Sequence, residues 1–490
     1  MLLTCSEMRA VEERAFAEGI TAEILMEEAG RGIARAVQQF FATPGRCVVV
    51  FGKGHNGGDA LVAARHLAAE GWSIDLRPAF SREAWAELTA RQHERLPAHS
   101  SGAKERPLVV LDGLLGIGTG GTLREPIRSA CQEINRLRRE RSAHVFALDL
   151  PTGLDGDTGA ADPDAVIADT TLAVAFGKIG LLADGALNHV GRLAVVPLPE
   201  LARRVEPAAA APSIATAATL AGLLPPRAFD THKGACGRVG IVAGSRGYLG
   251  AAVLCADAAV HGGAGLVTLH VPREIYEFIA PRTSPEVMVR SFTSPSQILN
   301  ERYDVIAIGP GLGREHPAEI FDLITRPTQP TVLDADALNL LATEPGMLEL
   351  CAGPRLLTPH PGEMARLDPE SPKRTRAATV EAFIARNPHT LLLKGSRTLV
   401  GQAGHALSYN STGHPGMATG GIGDVLTGLL AALAGQGLSF YHAARLGSWL
   451  IGRAAENAVF LGPESAETLR PTALLANLGT AFRDLRSGVL

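Results

Sequence analysis

The chain has no paired-cysteine motif. Its six cysteines (Cys5, Cys47, Cys131, Cys236, Cys255 and Cys351) are scattered over 490 residues without a C-x-x-C spacing. That spacing excludes a zinc knuckle or a dithiol redox centre, and in a chain this long it points to reduced core thiols in a cytoplasmic protein. No apolar run approaches the roughly 18 residues of a membrane span. Residues 1–14 are charged and amphipathic, with no apolar signal-peptide core. A net charge of −4 offers no electrostatic footprint for nucleic acid or an anionic membrane, so neither is expected as a partner. The phosphate-binding sequence G-x-x-x-x-G-K-[ST] is missing. Residues 52–57 do not fit G-x-G-x-x-G in register with a downstream ribose-binding acid, which argues against a conventional hydride-transferring dehydrogenase.

What is abundant is glycine, 54 residues, within a composition that is 46% hydrophobic. That combination fits a globular α/β protein with many strand-to-helix turns. A run of small residues and prolines between Glu206 and Pro226 reads as a linker, and we place a boundary near residue 210, giving domains 1–210 and 211–490. Both sides alternate apolar runs with helical segments, the pattern of parallel sheets whose ligands bind beyond the carboxyl ends of the strands. Before residue 210, Ser6 and Thr21 are expected to cap two helices. The run Cys47–Phe51 leads into a glycine-rich loop, with a helix from Ala60. The runs Leu108–Leu111 and Val145–Leu148 lead into Asp112 and Asp149. Asp155–Gly159 resembles a calcium loop but lacks its ligand spacing, so it reads as a turn.

The most informative stretch is Gly416–Asp424, directly before the apolar helical segment Val425–Ala434. A glycine-rich turn opening a helix points backbone N–H groups at one spot and forms a cradle for phosphate or an oxyanion. Asp424 would repel phosphate there, but it suits the removal of a proton from a hydroxyl that attacks a phosphoryl group. Lys394, followed by Gly395–Thr398, suits nucleotide phosphates or a solvated strand end. His360 and Glu363 suit a polar substrate or a capping role. Asp334 and Asp336 suit Mg²⁺ through water or a helix cap, and at least one of them is expected to cap. Gly311 and Gly313 permit close backbone approach. In the first part, Asn56, Asp112 and Thr152 carry oxygens for a hard cation, and Asp149 is the better candidate for acid–base work. Taken singly, each also fits an ordinary turn or cap.

These residues together resemble the bifunctional NAD(P)H-hydrate repair enzymes over nearly the whole chain. The resemblance rests on Gly416–Asp424 with its helix, Thr358–Glu363, Asn56–Asp59 and the domain order. It implies an N-terminal Rossmann-like α/β/α epimerase domain and a C-terminal ribokinase-like α/β domain. The first would interconvert R and S hydrates of NADH and NADPH. The second would phosphorylate the S hydrate from ADP and expel phosphate, leaving NAD(P)H and AMP. By position, Asp424 is the dehydratase base. Ala251, Gly311, Gly313, His360 and Asp424 contact the hydrate there, with Mg²⁺ as cofactor. Lys394, Gly395, Ser396, Arg397, Thr398 and Gly423 contact the adenine nucleotide. In the epimerase domain, His55, Asn56, Gly57, Gly58, Asp59, Gly116, Ile117, Gly118, Thr119, Gly120, Gly121, Thr122 and the catalytic Asp149 line the hydrate site. Asn56, Asp112 and Thr152 hold K⁺. The family usually has Asn where this chain has His55 and Ser where it has Thr152. Thr152 keeps a hydroxyl ligand, whereas His55 brings a bulkier, titratable ring that puts epimerase activity in question. The alternatives are a ribokinase-like kinase that keeps its phosphorylated product and a first domain that only binds. A homo-oligomer is expected, packed through small-residue helices such as Ala251–Gly263.

Overall fold

The computed structural model describes residues 1–97, 106–118, 121–205, 211–224 and 226–490. Its contacts divide the chain into two units, Met1–Ile214 with Leu490, and Ala215–Val489. The linker residues 206–210, like Thr119 and Gly120, lie outside the described residues. Among the described residues, no helix is long and apolar enough to cross a membrane.

In the first unit six parallel strands lie in the order Ser73–Pro78, Arg46–Phe51, Leu108–Gly113, His144–Leu148, Thr170–Val174 and Arg192–Val196. The order reverses between Arg46–Phe51 and Leu108–Gly113, the place where open parallel sheets bind ligands. Strand residues Val48, Val50, Val110 and Val145 share one core with Cys131 and Ile134 of the helix Ile127–Arg141. Two expected helix starts need correction. The first helix, Cys5–Ala17, is capped by Thr4, not Ser6. Thr4 Oγ1 accepts the Glu7 N–H at 3.1 Å, and the Glu7 carboxylate accepts the Thr4 N–H at 2.7 Å, a reciprocal pair. Thr21 caps Ala22–Phe40 as expected. The third helix begins at His55, five positions before Ala60. Its glycines are there for contact: a Cβ on Gly57 would collide with the Gly52 carbonyl, and one on Gly58 with the Met26 side chain.

In the second unit, Arg238–Val242 has Leu266–Pro272 and Val287–Phe292 on one side. On the other side lie Val305–Ile308, Thr331–Leu333, Arg355–Leu357 and Thr390–Leu393, all parallel. The sheet is not wholly parallel: Leu399–Gly401 and Ser408–Asn410 run antiparallel, because the short turn at residues 394–398 returns the chain as a hairpin. The helix Ile422–Gly435 is buried almost all round, as its continuous apolar sequence requires. It packs on Leu249–His261, where a Cβ on Gly428 would run into the Cys255 carbonyl. The small residues Ala252, Ala256 and Ala259 are thereby buried within the unit.

Candidate active sites

In the second unit the strand ends and the glycine cradle meet around Asp334. This carboxylate is buried and accepts hydrogen bonds from Lys394 Nζ at 2.7 Å, Thr358 Oγ1 at 2.9 Å and Thr427 Oγ1 at 2.8 Å. Asp334 therefore does not cap the helix Asp336–Leu341. Asp336, in that helix's first turn, accepts the Gly313 N–H at 2.9 Å, and the N-cap position carries no side-chain cap. The capping expected of one of them is absent because both carboxylates are turned to other partners. Lys394 also lies 3.6 Å from Glu363, whose carboxylate accepts the His360 N–H at 2.8 Å. Burial works against the Lys394 charge, but Asp334 and Glu363 outweigh it and leave its pKa raised.

Gly421, with φ of 95°, turns the chain into the helix, and Gly423 lies against Lys394 and Asp334: a Cβ there would stand 3.4 Å from Lys394 Nζ. Asp424 follows in the first turn. Burial, then repulsion from Asp334, pushes its carboxyl up to about 6, with Lys394 opposing. A carboxylate near that value is suited to accept a proton at neutral pH. Gly311, at φ of 59°, passes so close to the start of helix Leu249–His261 that a Cβ would lie 3.0 Å from Ala251 Cβ. The structure thus brings together Asp424, Gly423, Asp334 and Lys394, and separately Ala251 and Gly311. His360 joins the first group through Glu363. In the turn at residues 394–398, Gly395 adopts φ of 135° and Gly395 and Ser396 are exposed. Arg376 donates to the Ser396 and Arg397 carbonyls. The Arg397 side chain is buried, and burial lowers its pKa to about 10. Among the described residues no group of three or more His, Cys, Asp or Glu side chains is arranged to hold a metal. Carboxylates in ones and twos do suit Mg²⁺ delivered with nucleotide phosphates.

In the first unit the sites expected at three strand ends also converge. Asp112 is fully buried, and Thr152 donates to it through N–H at 2.8 Å and Oγ1 at 2.7 Å. Burial pushes Asp112 up to about 6 despite those bonds, and no basic side chain pairs with it among the described residues. Asn56 Nδ2 is buried without a partner. One carboxylate, one hydroxyl and one amide make an oxygen-bearing set that fits a monovalent hard cation. A Cβ on Gly116 would stand 3.5 Å from Asp149 Oδ2 and 3.7 Å from the Asn56 side chain, so these three share one spot. His55 and Asp59 line a cleft of about 60 Å³ with Glu12, Met26 and Leu198. Ile117 accepts a hydrogen bond from Arg9 at its carbonyl. Gly118 and Thr122 are exposed, and Gly121 has φ of 93°. Asp155 accepts the N–H groups of Asp157 and Thr158, the turn expected of it.

Residues 239–474 match the NAD(P)H-hydrate dehydratase family, and residues 22–180 match the YjeF-related protein N-terminus family. The bifunctional NAD(P)H-hydrate repair enzyme Nnr of Moorella thermoacetica is 37% identical, over 93% of this chain and 92% of its own. That of Gloeobacter violaceus is 35% identical, over 92% of this chain and 94% of its own. The chain belongs to the bifunctional NAD(P)H-hydrate repair enzymes. The ADP/ATP-dependent NAD(P)H-hydrate dehydratase of Bacillus subtilis, co-crystallized with ATP/Mg²⁺, is a structural relative at 29% identity and a TM-score of 0.50, covering 56% of this chain and 98% of its own. The second unit therefore has the ribokinase-like fold expected of it, and the first is the expected Rossmann-like sheet.

Sequence reading missed several residues that the structure places beside these candidate sites. Thr427 lies on an apolar helix and gives no signal beyond its hydroxyl. Glu12 sits on the first helix, where a charged residue looks solvated. Lys178 follows the apolar strand Thr170–Val174 across a short turn. A lysine in so apolar a context is the one signal that invited attention.

Proposed function

We propose that residues 1–210 form the epimerase domain and residues 211–490 the dehydratase domain of a cofactor-repair enzyme, each with its own site. The chain is a bifunctional NAD(P)H-hydrate epimerase and dehydratase. Kinase activity with retained product is the weaker reading, because its relatives repair hydrates over their full length.

The observation that carries the dehydratase mechanism is the placement of Asp424 on the glycine cradle beside Asp334 and Lys394. Asp424 removes the proton from the hydroxyl of the S hydrate. The freed oxygen attacks the terminal phosphoryl group of ADP, and AMP leaves. The N–H groups of the cradle and the Lys394 charge stabilise the phosphoryl oxygens as negative charge builds. Phosphate, a far better leaving group than hydroxide, then departs and the ring double bond of NAD(P)H is restored. Ala251, Gly311, Gly313 and His360 hold the hydrate, and Lys394–Thr398 with Gly423 hold the nucleotide. Mg²⁺, when bound, neutralises phosphate charge.

In the epimerase domain Asn56, Asp112 and Thr152 hold K⁺, which supplies a fixed positive charge beside the hydrate. His55–Asp59, Gly116–Ile117 and Asp149 line the substrate. We place the enzyme in the cytoplasm, in keeping with six unpaired cysteines. Assembly into a homo-oligomer is retained as a proposal that light scattering decides. Incubating the full chain with S hydrate, Mg²⁺ and ADP tests the dehydratase reading. NADH, AMP and phosphate in equal amounts are expected, and a stable phosphorylated hydrate returns this domain to the kinases.

A further inference from the structure

The first unit contains a fully buried lysine beside the carboxylate at one strand end. Lys178 has no exposed surface. Its ammonium donates to the Asp149 carboxylate and to the carbonyls of Val174 and Phe176, each at 3.1 Å. With all three donors engaged, it cannot reach a ligand, so its effect is to fix charge on its neighbour. Asp149 sits in the left-handed region at φ of 65°. Its Oδ1 takes both Lys178 and the Val174 N–H, the latter at 3.2 Å, while Oδ2 is the atom turned to Gly116. A second carboxyl, Asp59, lines the nearby cleft with Glu12 and His55 and makes no hydrogen bond or ion pair among the described residues.

Three carboxyls share the surroundings of one buried cation, and like charges there repel one another. Burial, then Asp149 and Glu12, hold Asp59 well above the ordinary carboxylate range, with Lys178 opposing. Burial and Asp149 also raise Glu12, opposed by Lys178 and Arg9. Cys5 faces the same cluster, its thiol pushed up to about 11 by burial and Asp157. Of the three, Asp149 is the carboxyl in direct contact with the lysine.

We infer that Asp149 and Asp59 are the base and the acid of the epimerisation, and that Lys178 is the positioning residue that keeps their charges different. The inference rests on the epimerase reading of this unit. In a nicotinamide hydrate the hydroxyl-bearing carbon is also bonded to the ring nitrogen. Asp149 takes the hydroxyl proton, a carbonyl forms, the carbon–nitrogen bond breaks and its electron pair goes to nitrogen. Asp59 gives that nitrogen a proton. Rotation about the adjoining carbon–carbon bond and reversal of these steps closes the ring on the opposite face. Protons and electrons balance, and no further reactant is needed.

The test uses the full chain in K⁺ with R hydrate, the two epimers being separated by chromatography across a range of pH. Asp59→Asn is expected to lose roughly 10²–10⁴-fold in kcat/KM, and with it the alkaline limb of the profile. Lys178→Met is expected to lower kcat for R hydrate with KM little changed, because the Asp149 carboxylate loses the contact that holds it in place. Dehydration of S hydrate by the same preparations should stay at the unmodified level. Should Lys178→Met fail to fold, Asp59→Asn decides. Wild-type rate and profile in Asp59→Asn, or a wild-type kcat in Lys178→Met, overturns the inference. Absence of interconversion by the unmodified enzyme overturns the epimerase reading itself, and the inference with it.

Discussion

Lys394 donates to Asp334 Oδ1 at 2.7 Å across 60 residues of sequence, joining the strand that opens the turn at residues 394–398 to the carboxylate beneath the glycine cradle. Both groups are largely buried, so neither is easily left alone. Lys394→Met strands a buried carboxylate, and breaking one side of such a pair costs about 3 kcal/mol or more. A lowered Tm is expected by differential scanning calorimetry. Since Lys394 also opposes the rise of the Asp424 carboxyl, the acid limb of dehydration moves to higher pH in the same variant. An unchanged limb would show that the two charges do not communicate.

Asp424→Asn keeps the shape of the cradle and removes the proposed base. Dehydration is expected to fall by at least the roughly 10²–10⁴-fold of a positioned general base, with nucleotide affinity by calorimetric titration close to that of the unmodified enzyme. The proposed mechanism requires Asp424 ionised. Its carboxyl is pushed up to about 6, so kcat/KM for S hydrate falls as pH drops through about 6 and is level above it.

Asp112 gives a stability prediction with a definite sign. Burial raises its pKa in the folded state to about 6, above the ordinary carboxylate range. Without a cation its contribution is fully present below the unfolded value and is lost as pH rises through about 6. K⁺ binding favours the ionised form, so the gain in Tm on replacing a bulky organic cation by K⁺ should be larger at pH well above 6 than below it. Asp112→Asn should abolish that pH dependence. An equal K⁺ effect at all pH would remove Asp112 from the cation site.

Gly428→Ala tests the packing that carries Asp424. A Cβ there would press on the Cys255 carbonyl, and overpacking a rigid contact costs about 1–3 kcal/mol. The expected result is a lower Tm with dehydration reduced, because the helix bearing Asp424 must shift. Unaltered stability would mean that the two helices separate freely.

The apolar runs and glycine turns made both sheets legible, because strand period and turn chemistry are local. Gly423 and Asp424 were legible for the same reason: cradle, helix start and carboxylate are contiguous. The helix start at His55 was not, since glycines at residues 57 and 58 read as a loop, whereas close approach to Gly52 and Met26 is what selects them. The roles of Asp334, Thr427 and Lys178 were illegible because their partners lie 24 to 93 residues away along the chain. A side chain's partner across a sheet is set by strand order, which no single segment encodes.

The most direct test follows the near-ultraviolet absorbance of reduced cofactor after the full chain is added to mixed R and S NADH hydrate with Mg²⁺, K⁺ and ADP. Two coupled sites predict complete recovery: the S portion first, then the R portion faster than it epimerises unaided. Recovery of the S portion alone would leave the first domain without catalysis, and no recovery with ADP or ATP would contradict repair altogether.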